Sequence, residues 1–209
     1  MKTRPWLGAV AVVLCLSSSA SAQERTLVSA EGAGDRRHFL GSSAFMAANL
    51  FPDSASFYQL SYGYRLTPRD VLVVEAITWT YRAPLGIPYW ASADAPDRAY
   101  PGSVREYGVG LAYQRFLWRN LYAAVHATPL LQQYRDADGK RIQNGFQLFL
   151  TLRAGYHLGF FDDRLFVEPS VAFTHWPIKA HVPDAFARID ARWPNYFLFE
   201  PGLHFGVRF

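Results

Sequence analysis

Cysteine is nearly absent: Cys15 is the only one in 209 residues. It lies in an apolar run, residues 7–16, that follows Lys2 and Arg4 and leads to Ala20-Ser21-Ala22. A basic start, a short apolar core and an Ala-x-Ala end predict a secretory signal peptide over residues 1–22, cut after Ala22. The run is about half of what a helix needs to span a bilayer, which argues against an anchor. Leu14 precedes Cys15 where a lipoprotein signal needs a small residue, so lipidation is not expected. The mature chain then has no cysteine, which excludes disulfides, thiol nucleophiles and cysteine-held zinc.

Long apolar runs and an excess of one charge are also missing. No stretch after residue 22 reaches the roughly 18 consecutive apolar residues of a transmembrane helix. Without Lys2 and Arg4, 19 basic side chains face 17 acidic ones. With that balance and no basic run, nucleic acid is not expected as a partner. Aromatic residues, in contrast, make up 16% of the chain, most of them in strand-like segments. If such a chain crosses a bilayer, it does so as a closed barrel.

Residues 196–209 carry the clearest pattern. The odd positions Phe197, Phe199, Pro201, Leu203, Phe205, Val207 and Phe209 are all apolar, and the even ones are mostly polar or glycine. Alternation with period two marks a strand with unlike faces. It recurs at 56–66, 104–117, 121–134, 144–160 and 164–176, and diluted by Ala and Ser at 38–50. The β-branched and aromatic run 71–81 has strand propensity but faces that are hard to tell apart, with Glu75 expected inward. Tight turns near 67–70, 118–120 and 161–163 alternate with longer connections at 82–103, 135–143 and 177–195. These features predict an all-β, eight-stranded antiparallel up-and-down transmembrane β-barrel over residues 38–209. Residues 23–37, polar and without periodicity, are expected to form a flexible N-terminal tail on the side of the short turns. In the last loop, Phe186, Ile189 and Trp193 fall on one side of a segment that starts at Pro183-Asp184 and carries Arg188 and Arg192 toward its end. That predicts a short helix at 183–193 over the barrel mouth. Pro129 predicts a bulge within its strand.

Glycine decides which face points inward. Gly63, Gly108, Gly110, Gly145, Gly155, Gly159, Gly202 and Gly206 all fall on the polar faces. A solvated exterior has no steric need for them, whereas the interior of a narrow eight-stranded barrel is filled by side chains. The polar face is therefore the crowded inside, and the apolar face meets lipid. A soluble ligand-binding barrel would reverse this. Tyr62, Tyr64, Tyr107, Tyr113, Tyr156, Phe160, Phe205 and Phe209 would then form aromatic girdles.

The inward polar residues are the candidate functional set: Arg65, Glu75, Glu106, Gln114, His126, Arg153, His157, Glu168, Glu200, His204 and Arg208, with Gln59, Gln147 and Thr151 beside them. Carboxylates and guanidiniums sharing so narrow a space are expected to pair, because burying either alone is costly. They would form a plug. A gated pore and a proton-sensitive interior are the alternatives. No His-x-His or His-x-x-x-His spacing supports a metal, and no cofactor is expected.

In this layout the chain resembles the small eight-stranded outer-membrane barrels of the OmpA and OmpX kind over residues 39–209. The closing run Leu203, Phe205, Val207, Phe209 is similar to the C-terminal signature read by the outer-membrane assembly machinery. The resemblance implies a barrel in the bacterial outer membrane, monomeric or weakly associated, contacting its lipids and lipopolysaccharide and acting through its loops or as a membrane-stabilising element. No peptidoglycan-binding domain is expected after the last strand. A narrow solute channel or a carrier of apolar molecules, with a wall opening beside Pro129, is the alternative. A lipid-modifying enzyme is the second. Such enzymes keep His, Ser and an acid near the outer rim. Here His175 is the rim histidine, with Thr174 and Asp184 near it in sequence and no Ser two residues on, while His181 lies in the loop. No catalytic residue is nominated, and an enzyme is disfavoured. The aromatic loop residues Tyr89, Trp90, Tyr100, Trp176 and Trp193 are candidates for a recognition surface.

Overall fold

The computed structural model describes residues 36–51, 55–87, 95 and 97–209. The expected signal peptide, most of the tail, and Tyr89 and Trp90 lie outside the described residues.

Among the described residues, nine strands form one antiparallel sheet: β1 (His38–Ser43), β2 (Tyr58–Arg65), β3 (Asp70–Tyr81), β4 (Gly102–Trp118), β5 (Leu121–Asp136), β6 (Arg141–Tyr156), β7 (Leu158–Phe160), β8 (Leu165–Ala180) and β9 (Tyr196–Arg208). β7 continues β6 past a break at His157, and both pair with β8, so the sheet is a ring of eight. β1 closes it by pairing with both β2 and β9. At the closure, the His38 N–H donates to the Phe209 carbonyl (3.1 Å) and the Phe209 N–H to the His38 carbonyl (2.9 Å). The fold is an all-β up-and-down barrel in which each strand neighbours the next in sequence. No helix among the described residues is long and apolar enough to cross a membrane.

The two faces are sorted by period two. Leu60, Val109, Leu111 and Leu152 are exposed, while Gln132, Gln147 and Glu106 are fully buried. A water-soluble protein does the opposite. The interior glycines make room for large neighbours. A Cβ on Gly63 would lie 1.9 Å from the Phe39 ring, one on Gly155 2.4 Å from the Tyr122 hydroxyl, and one on Gly202 2.3 Å from Arg153 Nη1. Leu203, Phe205, Val207 and Phe209 all point outward and are exposed. At the turn end, Tyr62, Tyr113, Trp118, Tyr156, Phe160 and Phe161 form an exposed aromatic ring.

The structure departs from the sequence expectations in four places. The first strand stops at Ser43 rather than running to residue 50. Residues Ala44–Leu50 form a 3-10 helix, started by the Ser43 side chain accepting from the Phe45 N–H. Pro129 makes no bulge: around it β5 keeps its register to both neighbours, and only the pairing to β4 lapses, between Gly108↔Leu130 and Leu111↔Ala127. Register shifts fall instead between Phe116 and Trp118, Tyr134 and Arg135, and Leu148 and Leu150, and in β9, where Leu198 and Phe199 sit opposite Phe173 and Phe199 takes φ 56°. Below this bulge in β9 the expected faces hold. Above it the parity flips, so Phe197 pairs with inward Thr174. Finally, Trp176 lies in β8, buried, and not in the loop, because β8 extends to Ala180. The helix in that loop, α1, spans Asp184–Asp190.

Candidate functional site: the filled interior and the covered mouth

The interior is layered along the barrel axis. At the turn end, β2 contributes Arg65, β4 Gln114, β8 Glu168 and β9 Arg208, and His157 sits at the break between β6 and β7. Their organiser is Asp163, in the turn before β8. Its carboxylate pairs with the Arg208 guanidinium, lies 2.7 Å from His157 Nε2 and 4.0 Å from Arg65 Nη2. The other ring nitrogen of His157 lies 2.8 Å from Glu168 Oε1, to which Gln114 Nε2 also donates (3.3 Å). A neutral imidazole donates to only one of two such carboxylates, so full satisfaction of this site takes one further proton. Arg65 and Arg208 lie 5.8 and 5.4 Å over the rings of Phe116 and Phe166. Two guanidiniums and two carboxylates thus close this end in balance. Asp163 reaches inward from a turn in which Phe161, Asp162 and Asp163 all have positive φ (54°, 54° and 62°). Left-handed backbone costs roughly 1–2 kcal/mol per residue.

The middle layer holds Glu75, His126, Arg153, Glu200 and His204, with hydroxyls as partners. Arg153 Nη1 donates to Ser170 Oγ (2.9 Å) rather than to a carboxylate. Thr174 Oγ1 donates to Glu200 Oε2 (2.8 Å) and lies 3.0 Å from Thr151 Oγ1. His126 Nδ1 is 4.0 Å from Glu75 Oε2, the longest of the histidine–carboxylate contacts. Above it comes an aromatic layer: Trp79 packs on Phe57 and Phe149, with centroids 5.9 and 5.7 Å away, and Phe149 on Trp176 at 5.5 Å.

The loop-side layer is a neutral network around one acid. Gln132 Nε2 is 2.7 Å from Glu106 Oε1, 2.7 Å from Gln147 Oε1 and 3.0 Å from the Tyr81 hydroxyl. Tyr81 donates to Glu106 (2.9 Å), and Tyr134 donates to Gln132 Oε1 (2.8 Å). No ion pair is formed by Glu106 within 4.0 Å among the described residues. The expected charge pairing therefore describes the turn end, whereas amides and phenols take over at the loop end.

α1 covers the mouth. Phe186 is fully buried, its ring 4.8 Å from Tyr100 and 5.0 Å from Tyr134. The Tyr100 hydroxyl donates to Asp190, which also receives the Lys179 ammonium. Burial first, and then the Asp190 carboxylate, hold the Tyr100 phenol protonated well above the usual tyrosine range. Trp193 lies under the Arg98 guanidinium, 5.4 Å away.

The eleven residues of the sequence-derived set thus fall into three separate layers rather than one site. Alternation could not find Asp163, because a turn residue has no strand parity. Alternation puts Ser170 and Gln132 on the inward faces without marking them as partners, and it gives no sign of Tyr81 and Tyr134; the hydroxyls and amides of these four complete the layers. The rim residues do not assemble: Thr174 points inward to Glu200, whereas His175 is on the outer face with Nδ1 2.9 Å from the Asn195 carbonyl. Among the described residues, no group of three or more His, Cys, Asp or Glu is placed to hold a metal ion. On the outer wall beside Pro129 lies an apolar depression of about 730 Å³, flanked by Tyr58, Tyr107 and Phe146.

The closed eight-stranded ring, lipophilic outside and polar inside, is the architecture of the small outer-membrane β-barrels. Two solved structures align with most of the chain. One is Ail, the attachment invasion locus protein of Yersinia pestis, in complex with the heparin analogue sucrose octasulfate, at 11% identity and TM-score 0.40 over 83% of this chain and 94% of that one. The other is Neisserial surface protein A, at 13% identity and TM-score 0.41 over 82% and 93%. No family model and no curated protein matches the chain.

Proposed function

We propose that this chain is an integral protein of the bacterial outer membrane whose lumen is plugged and whose work is done by its extracellular end, as a structural or adhesive element. The observation that carries this is the stacking of hydrogen-bonded layers from Asp163 to Glu106, followed by α1 over the mouth. A solute pathway would have to displace each of them. Lipids and lipopolysaccharide surround the apolar wall, and the exposed closing run ending in Phe209 serves as the address for barrel assembly. The test is single-channel conductance of refolded protein in planar bilayers, with Arg153→Ala beside it. Silence from both is the expected result; steady conductance that changes in the variant would make the protein a channel.

The depression at Pro129 favours a second reading, a carrier of apolar molecules along the wall. A spin-labelled fatty acid that is immobilised by the native protein and released by Leu131→Arg would support it, and equal mobility in both would remove it.

A further inference from the structure

Beneath α1 lies a second cavity, of about 350 Å³, bordered by Gln147 and Trp176 of the layers described above. Residues 84–86 line it together with Ala187, Ala191 and Pro194. Trp176 and Trp193 contribute indole surface, Gln147 and Asn195 amides, and Lys179 and Asp190 an ion pair. Two donors in this lining are buried without a hydrogen-bond partner: Gln147 Nε2, in a side chain with no exposure at all, and Trp193 Nε1. Neither atom is accessible from the cavity, so the occupant is read from the groups that are.

The chemistry of that occupant follows from the lining. Because Lys179 is balanced by Asp190, the cavity carries no net charge to select an anion. An ammonium and a carboxylate side by side suit a group that both donates and accepts, which a hydroxyl does. Indole faces suit an apolar C–H face, and the volume falls at the small end of the roughly 300–1,000 Å³ typical of ligand sites. A sugar ring combines vicinal hydroxyls with C–H faces at that size. We infer that the cavity under α1 is a binding site for a neutral pyranose ring, either a free sugar or the terminal residue of a surface glycan.

This rests on the proposed extracellular position of the loops, and the experiment separates the two. The protein is refolded in a detergent without a sugar headgroup and titrated with glucose, galactose and N-acetylglucosamine. Saturation-transfer NMR and tryptophan fluorescence provide the readouts. The same protein is inserted into phospholipid vesicles with and without lipopolysaccharide, and barrel formation is read by circular dichroism. Saturable transfer to ring C–H protons is expected for at least one sugar. Affinity should fall about tenfold in Trp193→Ala and less than about threefold in Trp193→Phe, which keeps an aromatic face. A response to lipopolysaccharide vesicles alone, lost in Trp193→Ala, would assign the ring to a membrane-borne glycan. A folded, inserted barrel that responds to none of these probes overturns the cavity proposal alone. Failure to insert overturns the membrane placement.

Discussion

At the turn end of the lumen, Asp163, Glu168, Arg65 and Arg208 close the barrel with full charges set 2.7–4.0 Å from their partners or closer. At the loop end, Glu106 is just as deeply placed yet is held by Tyr81 and Gln132, neutral groups at 2.7–2.9 Å. The walls differ in the same sense. Near the turns all eight strands are paired. Toward the loops β1 gives way to the 3-10 helix, and β9 above Leu203 has no β1 partner. A full charge among fixed opposite charges resists any change in its partners, whereas an acid among amides and phenols tolerates one. The turn end is thus built as a lock and the loop end as an adaptable lid.

The largest effect should come from removing the organiser of the lock. Asp163→Ala leaves two guanidiniums buried with Glu168 alone, and a loss of about 3–5 kcal/mol is expected in urea unfolding from vesicles. An unchanged midpoint would mean that the two ends do not differ. Next is the lid: Phe186→Ala empties the contact between Tyr100 and Tyr134, costing about 3 kcal/mol of local stability. It should appear as faster proteolysis of residues 181–195 with the barrel midpoint unmoved; a lowered midpoint would tie the lid to the wall. Gly63→Ala pushes a methyl group into the Phe39 ring and should cost about 1–3 kcal/mol at the turn end. Glu106→Gln should change unfolding by less than about 1 kcal/mol, since its partners are neutral donors. A large loss there would erase the contrast.

The smallest effect is in pH. Tyr100 has its pKa raised by burial and by Asp190, so the folded state keeps a proton that the unfolded chain releases near pH 10. Its contribution is therefore complete below about pH 10 and declines as pH rises beyond it. Amide exchange in α1 should speed up in that range, and Tyr100→Phe should abolish the acceleration.

How much of this was legible beforehand follows from where each residue sits. The faces of β2, β4, β5, β6 and most of β8 could be read because parity in a two-sided wall is forced, and because Gly63, Gly155 and Gly202 betray the crowded side; β3, a β-branched and aromatic run, showed its faces only through Glu75. Three kinds of information carry no such period. Asp163 acts from a turn. The 3-10 helix arises where Ala44, Ala47 and Ala48 erase the alternation. The bulge at Leu198–Phe199 inverts parity while the residues on both sides stay apolar, so Phe197 looked outward when it is inward. The division of the lumen into charged and neutral layers depends on which strands become neighbours, and composition does not encode that.

The short β1 also bears on the order of events in folding. Its ladder to β9 runs only from Phe39↔Arg208 to Ser43↔His204, yet it joins the two ends of the ring. Hairpins such as β5–β6 close loops of a few residues, whereas this seam closes a loop nearly as long as the barrel itself, at the greatest entropic cost and with few bonds in return. Seam closure is thus expected to be the slow step of refolding. A covalent staple between residues 40 and 207, made before refolding begins, should quicken it; an unaltered rate would place the slow step in another ladder.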